Sequence, residues 1–413
     1  MKNICFLLFA LTALTCQRKT TSTFIDSQLD GVEHHLSNRD KFDKNPCRNP
    51  LNYAPYDDYL KYFDERLIRI NFHFPDDSTR QNNFNRGEGE TFFTNMVNNS
   101  NYRFTKNKQM NLPEGNNTPV LQPRIQLKIT ASPSERTDDN GFYYEIDNED
   151  SFFINKGRNR NNYSRKIIKK HAIHSDTILN AFIMPHHPDS LKSKTYKTFG
   201  AGIALGSSIK LGGMYQLGKP DWAYATLLNH EVGHVFGLSH SWNNDGCDDT
   251  PKNPNCYYKS GVPPCDGAVS NNLMDYNNSQ MAITPCQLGR IHMKIADTTS
   301  FQRKLVIPSW CKLDTTQVIT IDSTIKWPGA RDVSRNIEIL DGGHLTICCR
   351  LSMPKNSKIL VHPGGKLTLE EATLHNDCGD QWFGIQVLSK GKKAGKVVAI
   401  GDVYIKNVRQ LKL

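Results

Sequence analysis

The sequence predicts an α/β (α+β) domain with a mixed sheet and one prominent helix, followed by an all-β region of short repeated strands. Three observations carry this. RLIRINFHF (66–74) and RIQLKITA (124–131) alternate polar with apolar residues, as half-buried strands do, and GFYYEI (141–146) and DTILNAFIM (176–184) add two more. Tyr224, Leu227, Leu228, Val232 and Val235 recur at helical spacing. Beyond about residue 311, EILDGGHLTI and VHPGGKLTL set Gly342-Gly343 and Gly364-Gly365 22 residues apart, each followed by alternating Leu, Thr and Ile. Short strands with glycine corners at that period predict β-solenoid coils, with a small β-sandwich as the alternative.

Taken in order, the first sixteen residues, MKNICFLLFALTALTC, read as an export signal. Lys2 supplies the charged start, and Ile4 to Leu14 form an apolar run too short to span a bilayer. Ala13-Leu14-Thr15-Cys16 resembles a bacterial lipobox, although Thr15 stands where such boxes carry Gly, Ala or Ser. The chain is therefore expected to be exported, to the cell envelope with a lipid anchor at Cys16 or to the medium after ordinary secretory cleavage. Residues 17–60 are polar and irregular, a linker or pro-segment. Residues 61–310 form the α/β domain and 311–413 the β-repeat domain.

Within the α/β domain, GETFFTNMVNNSNYRF (89–104) is expected to be helical, and GAGIALGSSIKLGG (200–213) to be a glycine-rich extended segment at a sheet edge. The prominent helix is expected to start at Asp221, after Pro220, with the aspartate capping its first turn, and to stop at Gly237.

Composition narrows the function. The chain has 413 residues, 38% hydrophobic and 9% aromatic, enough for a large core. Its formal net charge of +10 is read as ordinary solubility. KGRNRNNYSRKIIKKH (156–171), with seven Lys/Arg and no acid, is read as a solvated insertion, with attraction of acidic substrates or anionic polymers as the alternative. Aromatics do not interleave with it, so no nucleic acid partner is expected. No G-x-S-x-G, P-loop or dinucleotide fingerprint is present. His171, His174, His186 and His187 lack companion ligands and are read as surface histidines.

The chemistry concentrates in HEVGHVFGLSH (230–240). His230 and His234 are one helical turn apart, so both imidazoles project from one face and can share an ion. Glu231, beside the first, can accept a proton from water. After Gly237 the chain can turn and bring His240 round as a third ligand. Three neutral imidazoles leave a fourth position for water, the arrangement of catalytic rather than structural zinc.

This stretch matches H-E-x-x-H-x-x-G-x-x-H, the extended signature of metzincin metalloproteases. NNLMDYN (271–277) looks like a Met-turn similar to that of the pappalysin (cytophagalysin-like) family. DDTP (248–251) and ITPCQLGRIHM (283–293) resemble further segments of that family, with Cys286 where the family usually has glycine. The resemblance covers roughly residues 60–300. It implies a metzincin-like zincin catalytic domain, with His230, His234 and His240 as Zn²⁺ ligands and Glu231 as general base/acid. It implies Met274 as an apolar floor beneath the metal, and Tyr276 as a hydrogen-bond donor to the reaction's oxyanion. It also implies Ca²⁺ near Asp248, Asp249 and Thr250, although the segment from His240 to Asp249 is short.

Beyond Cys5 and Cys16 nine cysteines remain, an odd number. The resemblance favours Cys247 with Cys265 and Cys256 with Cys286. Cys47 has two readings: a pro-segment thiolate that occupies the open zinc position, or a disulfide partner, with Cys311 as the candidate. The expected function is an exported zinc endopeptidase acting on protein or peptide substrates. The alternative is a surface-binding protein that uses its β-repeat region while the protease-like part is vestigial.

Overall fold

The computed structural model describes residues 20–25, 28–36, 45–131, 139–196 and 199–409. The export signal, Cys5 and Cys16 lie outside the described residues. No helix among the described residues is long and apolar enough to cross a membrane.

The described part of 17–60 is not a tether. β1 (Thr20–Ile25) pairs antiparallel with Ile385–Lys390, and β2 (Glu33–His35) pairs parallel with Lys396–Ile400, so the start of the chain joins two sheets formed by its last strands. Residues 46–62 then pass between the two halves of the molecule. A β-carbon on Gly289 would meet Pro50 O at 2.0 Å, and one on Gly329 would meet Asn52 O at 2.6 Å, so both halves press glycines against this segment. Its polar composition hid this, because the backbone, rather than an apolar face, makes the fit.

β3 (Arg66–His73) lies inside the sheet of the α/β half, where strand order runs from β4 (Ile125–Ile129) through β3, β6 (Leu179–Met184) and β8 (Ser208–Gly212) to β7 (Ala201–Ala204) at the edge. β5 (Phe142–Tyr143) pairs with the end of β3, a shorter strand than GFYYEI predicts. All neighbours are parallel except β7, which returns antiparallel along β8. Parallel strands need long crossovers, which explains the wide spacing of the strand-like segments in the sequence. On β3, Ile68, Ile70 and Phe72 enter the main core with Phe93, Met96 and Val97 of α1 (Arg86–Phe104). Asn85 caps α1 by accepting from Glu88 N at 3.1 Å. The opposite face of the sheet is more polar: buried His73 bonds Glu145 Oε1 at 2.6 Å and Asn180 Oδ1 at 2.9 Å. That face is covered by the segment leading to α2 (Lys166–His171), which the short helices α3 (Pro188–Lys192) and α4 (Met214–Leu217) follow beyond β6 and β8.

The C-terminal half consists of three stacks of parallel strands. Ile319, Ile337, Ile359 and Ile385 stand in register along one stack. Ile325, Leu345, Leu367 and Val397 do so along the second, and Leu351, Leu374 and Ile405 along the third. Most of these side chains share one apolar core. Gly342 and Gly364 take φ of +81° and +88°, which L side chains rarely adopt. Their partners are tight for a different reason: β-carbons on Gly343 and Gly365 would stand 2.2 Å and 2.6 Å from Ile321 O and Ile339 O of the preceding coil.

Ionic and covalent ties join the halves. Arg303 bonds Asp332 through both terminal nitrogens, at 2.7 and 3.0 Å, bonds Asp377, and lies 4.3 Å over the Trp310 ring. Disulfides link Cys311 to Cys378 and Cys47 to Cys349. This corrects the expected pairing of Cys47 with Cys311, and it leaves Cys47 no thiolate for latency. The cause is topological: parallel stacking brings 349 beside the crossing segment 46–62.

Candidate metal centre

The helix that carries the histidines is α5 (Ala225–Val235). It begins later than Asp221, which belongs to a separate 3-10 turn, Asp221–Ala223, and accepts a hydrogen bond from Asn99 Nδ2 at 3.1 Å. Tyr224 leads into α5 without a side-chain cap, and its hydroxyl donates to Met214 O instead. Leu228, Val232 and Val235 bury one face of α5 in the main core, which turns the histidine face toward β7 and the loops beyond.

Gly237 takes φ +87° and Leu238 N bonds back to Gly233 O at 3.0 Å, so the helix stops there and the chain reverses. His240 is thereby returned beside its predecessors. Nε2 of His234 lies 3.0 Å from Nε2 of His230 and 3.1 Å from Nε2 of His240. Nδ1 of His230 donates to Leu273 O at 2.7 Å, and Nδ1 of His234 to Leu238 O at 2.8 Å. Those bonds fix the proton on Nδ1, so the facing Nε2 atoms of His230 and His234 present lone pairs to one another with no proton to share. Such a contact calls for a cation. Two nitrogens on a tetrahedral Zn²⁺, each about 2.0–2.1 Å away, are about 3.3 Å apart, within a few tenths of the observed spacing. Burial holds all three rings toward the neutral, ligating form, with His230 lowered to about 3 and His240 to about 4. The donor set therefore fits zinc, and the Nδ1–carbonyl bonds are the kind that orient metal-binding imidazoles.

Glu231 is buried beside His230, and its Oε2 has no hydrogen-bond partner among the described residues. Burial raises its pKa to about 8, against the Ala204 backbone, which lowers it. The carboxylate fits under β7 only because residue 202 is glycine, since a β-carbon there would stand 2.3 Å from Oε1.

Met274 is fully buried, with its sulfur against Gly233, between the two helical histidines. The turn that carries it is pinned from α6 (Pro285–Ala296). Gln287 exchanges two hydrogen bonds with Asn272, at 2.9 and 3.0 Å, and Asn272 Oδ1 accepts from Met274 N at 2.8 Å. Tyr276 is half-exposed, its ring 5.7 Å from that of His230 and 5.0 Å from that of His240. His240 stacks on Trp242 at 3.9 Å, and Trp242 N donates to Asp275 Oδ1.

Several expectations need correction. Cys247 pairs with Cys286 and Cys256 with Cys265, rather than in the crossed arrangement. With Cys286 in the first turn of α6, the near end of the 247 loop is the one it reaches. Asp249 and Thr250, read as calcium ligands, both bond within the protein. Asp249 accepts from Thr284 Oγ1 and Cys286 N at the start of α6, and Thr250 donates to buried Asp245. His186 is buried rather than on the surface, held by Tyr196 and Phe199 O. His171 pairs with Asp147.

Gly202, Gly233, Trp242 and the Asn272–Gln287 pair escaped the sequence reading. Only Gly233 carried a visible signal, because glycine inside a helix costs about 1 kcal/mol relative to alanine and needs a reason.

No model of a known protein family matches the chain, and no curated protein matches it. Among solved structures, it is similar to Tannerella forsythia mature mirolysin in complex with a cleaved peptide, at 18% identity and a TM-score of 0.39, over 59% of this chain and 96% of that one. Mirolysin in complex with compound 9 gives 16% identity and the same TM-score and coverage. A Tannerella forsythia promirolysin mutant gives 16%, a TM-score of 0.37, and coverage of 59% and 84%. A likeness of that size leaves the chemistry to be read from the site itself.

Proposed function

We propose that this protein is an exported, zinc-dependent endopeptidase of metzincin type, closest to the pappalysins, and that its C-terminal coils form a β-solenoid. One observation carries the reading: Nε2 of His234 lies 3.0 Å from that of His230 and 3.1 Å from that of His240, beside a buried glutamate whose Oε2 has no partner among the described residues, under the edge strand β7.

His230, His234 and His240 would hold the ion through Nε2. Bound zinc supplies Lewis acidity, which acidifies water and stabilises oxyanionic charge. Glu231 takes the proton from the attacking water and delivers it to the leaving amine. Its burial suits this task, because a carboxylate with a raised proton affinity is the stronger base. β7 offers its outer edge to a substrate laid alongside as an added strand. Tyr276 would donate a hydrogen bond from its phenol to the oxyanion that forms when the carbonyl is attacked, and Trp242, stacked on His240, would hold that ring's orientation. The four disulfides among the described residues accord with an oxidising compartment.

The test is purified protein, assayed for zinc content and for casein cleavage with and without 1,10-phenanthroline. We expect one zinc per chain, cleavage abolished by the chelator, and an inert Glu231→Ala protein that still carries zinc. Full activity in Glu231→Ala at full zinc occupancy would overturn the mechanism.

A further inference from the structure

The basic insertion is not simply solvated. Residues 155–165 form a loop fastened from within. Asn161 bonds Ile154 N and Phe152 O, Asn162 bonds Asn155, and the fully buried Lys210 of β8 donates its ammonium to Asn161 O and Ser164 O at 3.1 and 2.5 Å. Behind the loop, Phe153, Ile167 and Ile168 pack against Phe182 of β6, with Ala201, Ile203 and Leu205 of the edge hairpin on the same cluster. The loop is thus built onto the hairpin that supplies the candidate substrate edge.

One of its arginines stands at one end of that edge. Gly206 turns β7 into β8, and both terminal nitrogens of Arg165 lie 3.7 Å from where its β-carbon would be. Arg160 lies 5.0 Å over the Tyr163 ring and bonds Asn162. Lys170, farther along, is already matched by Asp147, Glu149 and Asp150. Arg158, Arg160 and Arg165 are exposed and have no carboxylate partner among the described residues.

We propose that this arginine-bearing loop selects peptides with an aspartate or glutamate near the scissile bond, on the side where the substrate leaves past Gly206. The inference rests on the peptidase reading. Arginine suits the purpose, because its planar fork pairs with a carboxylate through two hydrogen bonds.

The experiment compares quenched-fluorescence peptides that differ only in Asp, Ala or Lys at the two to four positions flanking the cleaved bond, with mass spectrometry locating that bond. The acidic peptide should show a kcat/KM about tenfold above the alanine peptide, as a few partly exposed ion pairs allow. The ratio should fall toward one in a protein carrying Arg158→Gln, Arg160→Gln and Arg165→Gln, fall only part of the way when the same three become lysine, which keeps the charge but not the fork, and shrink as salt is raised. In parallel, fluorescence anisotropy of the acidic and alanine peptides on Glu231→Ala protein reads binding without turnover, and should show the same order. Cleavage of all peptides at equal rates would overturn this inference and leave the peptidase reading intact. Equal binding of acidic and neutral peptides would overturn it as well. A zinc-loaded protein that cleaves none of them would instead sink the peptidase reading.

Discussion

A β-carbon on Gly233 would stand 2.6 Å from the sulfur of Met274, so the helix that bears His230 and His234 sits directly on the methionine of the 271–277 turn. Gly233→Ala should gain about 1 kcal/mol of helix propensity. The clash should cost about 1–3 kcal/mol, because Met274 is fully buried and has nowhere to go. Overpacking wins. We expect a lower melting temperature and weaker zinc retention in a chelator competition, both partly restored when Met274→Ala is added.

Gly202 stands in the same relation to Glu231, but the outcome should differ. The atoms a β-carbon would strike belong to the flexible carboxyl end of one side chain. Gly202→Ala should therefore fold and bind zinc normally, while the displaced carboxylate loses roughly a hundredfold in kcat, the scale of an ångström misplacement in a catalytic group. Paired metal analysis and steady-state kinetics check this, and wild-type kcat in the variant would refute it.

The Cys47–Cys349 bond makes the segment 46–62 a structural strap between the halves. Removing it as Cys47→Ser with Cys349→Ser should lower stability by about 2–5 kcal/mol in urea unfolding. It should give no burst of peptidase activity. Activation on loss of Cys47 would revive the latency reading. Peptide mapping without reduction should recover the 247–286, 256–265 and 311–378 pairs.

Asp332 is buried at the junction. Burial alone would raise its pKa, but Arg350 and Arg303 outweigh that and hold the carboxyl well below the usual range. Its folded pKa is therefore below its unfolded value of about 3.9, so the stability it contributes is present above that pH and is lost as pH falls below it. Asp332→Asn should cost about 3–5 kcal/mol at pH 7, where it strands Arg350 and leaves Arg303 with Asp377 alone. The gap between wild type and variant in urea midpoint should narrow as the pH is lowered from 5 toward 2. A constant gap across that range would contradict the assignment.

The sequence by itself determined the local pieces. Alternation in 66–74 and 124–131 marked strands because a half-buried strand must alternate. The glycine pairs at 342–343 and 364–365 marked corners because the first glycine of each takes a positive φ and the second presses against the backbone of an earlier strand. His230, His234, Gly237 and His240 could be brought together on paper because they lie within one helix turn and one reversal. Only the tertiary structure decided what depends on partners far along the chain. Residues 20–35 complete sheets with strands of 385–400, Cys47 meets Cys349, Gly202 clears space for Glu231, and Lys210 fastens the loop that sets Arg165 beside Gly206. Periodicity and spacing encode which face a residue presents, but the neighbour that meets that face is chosen by packing, which no local pattern records.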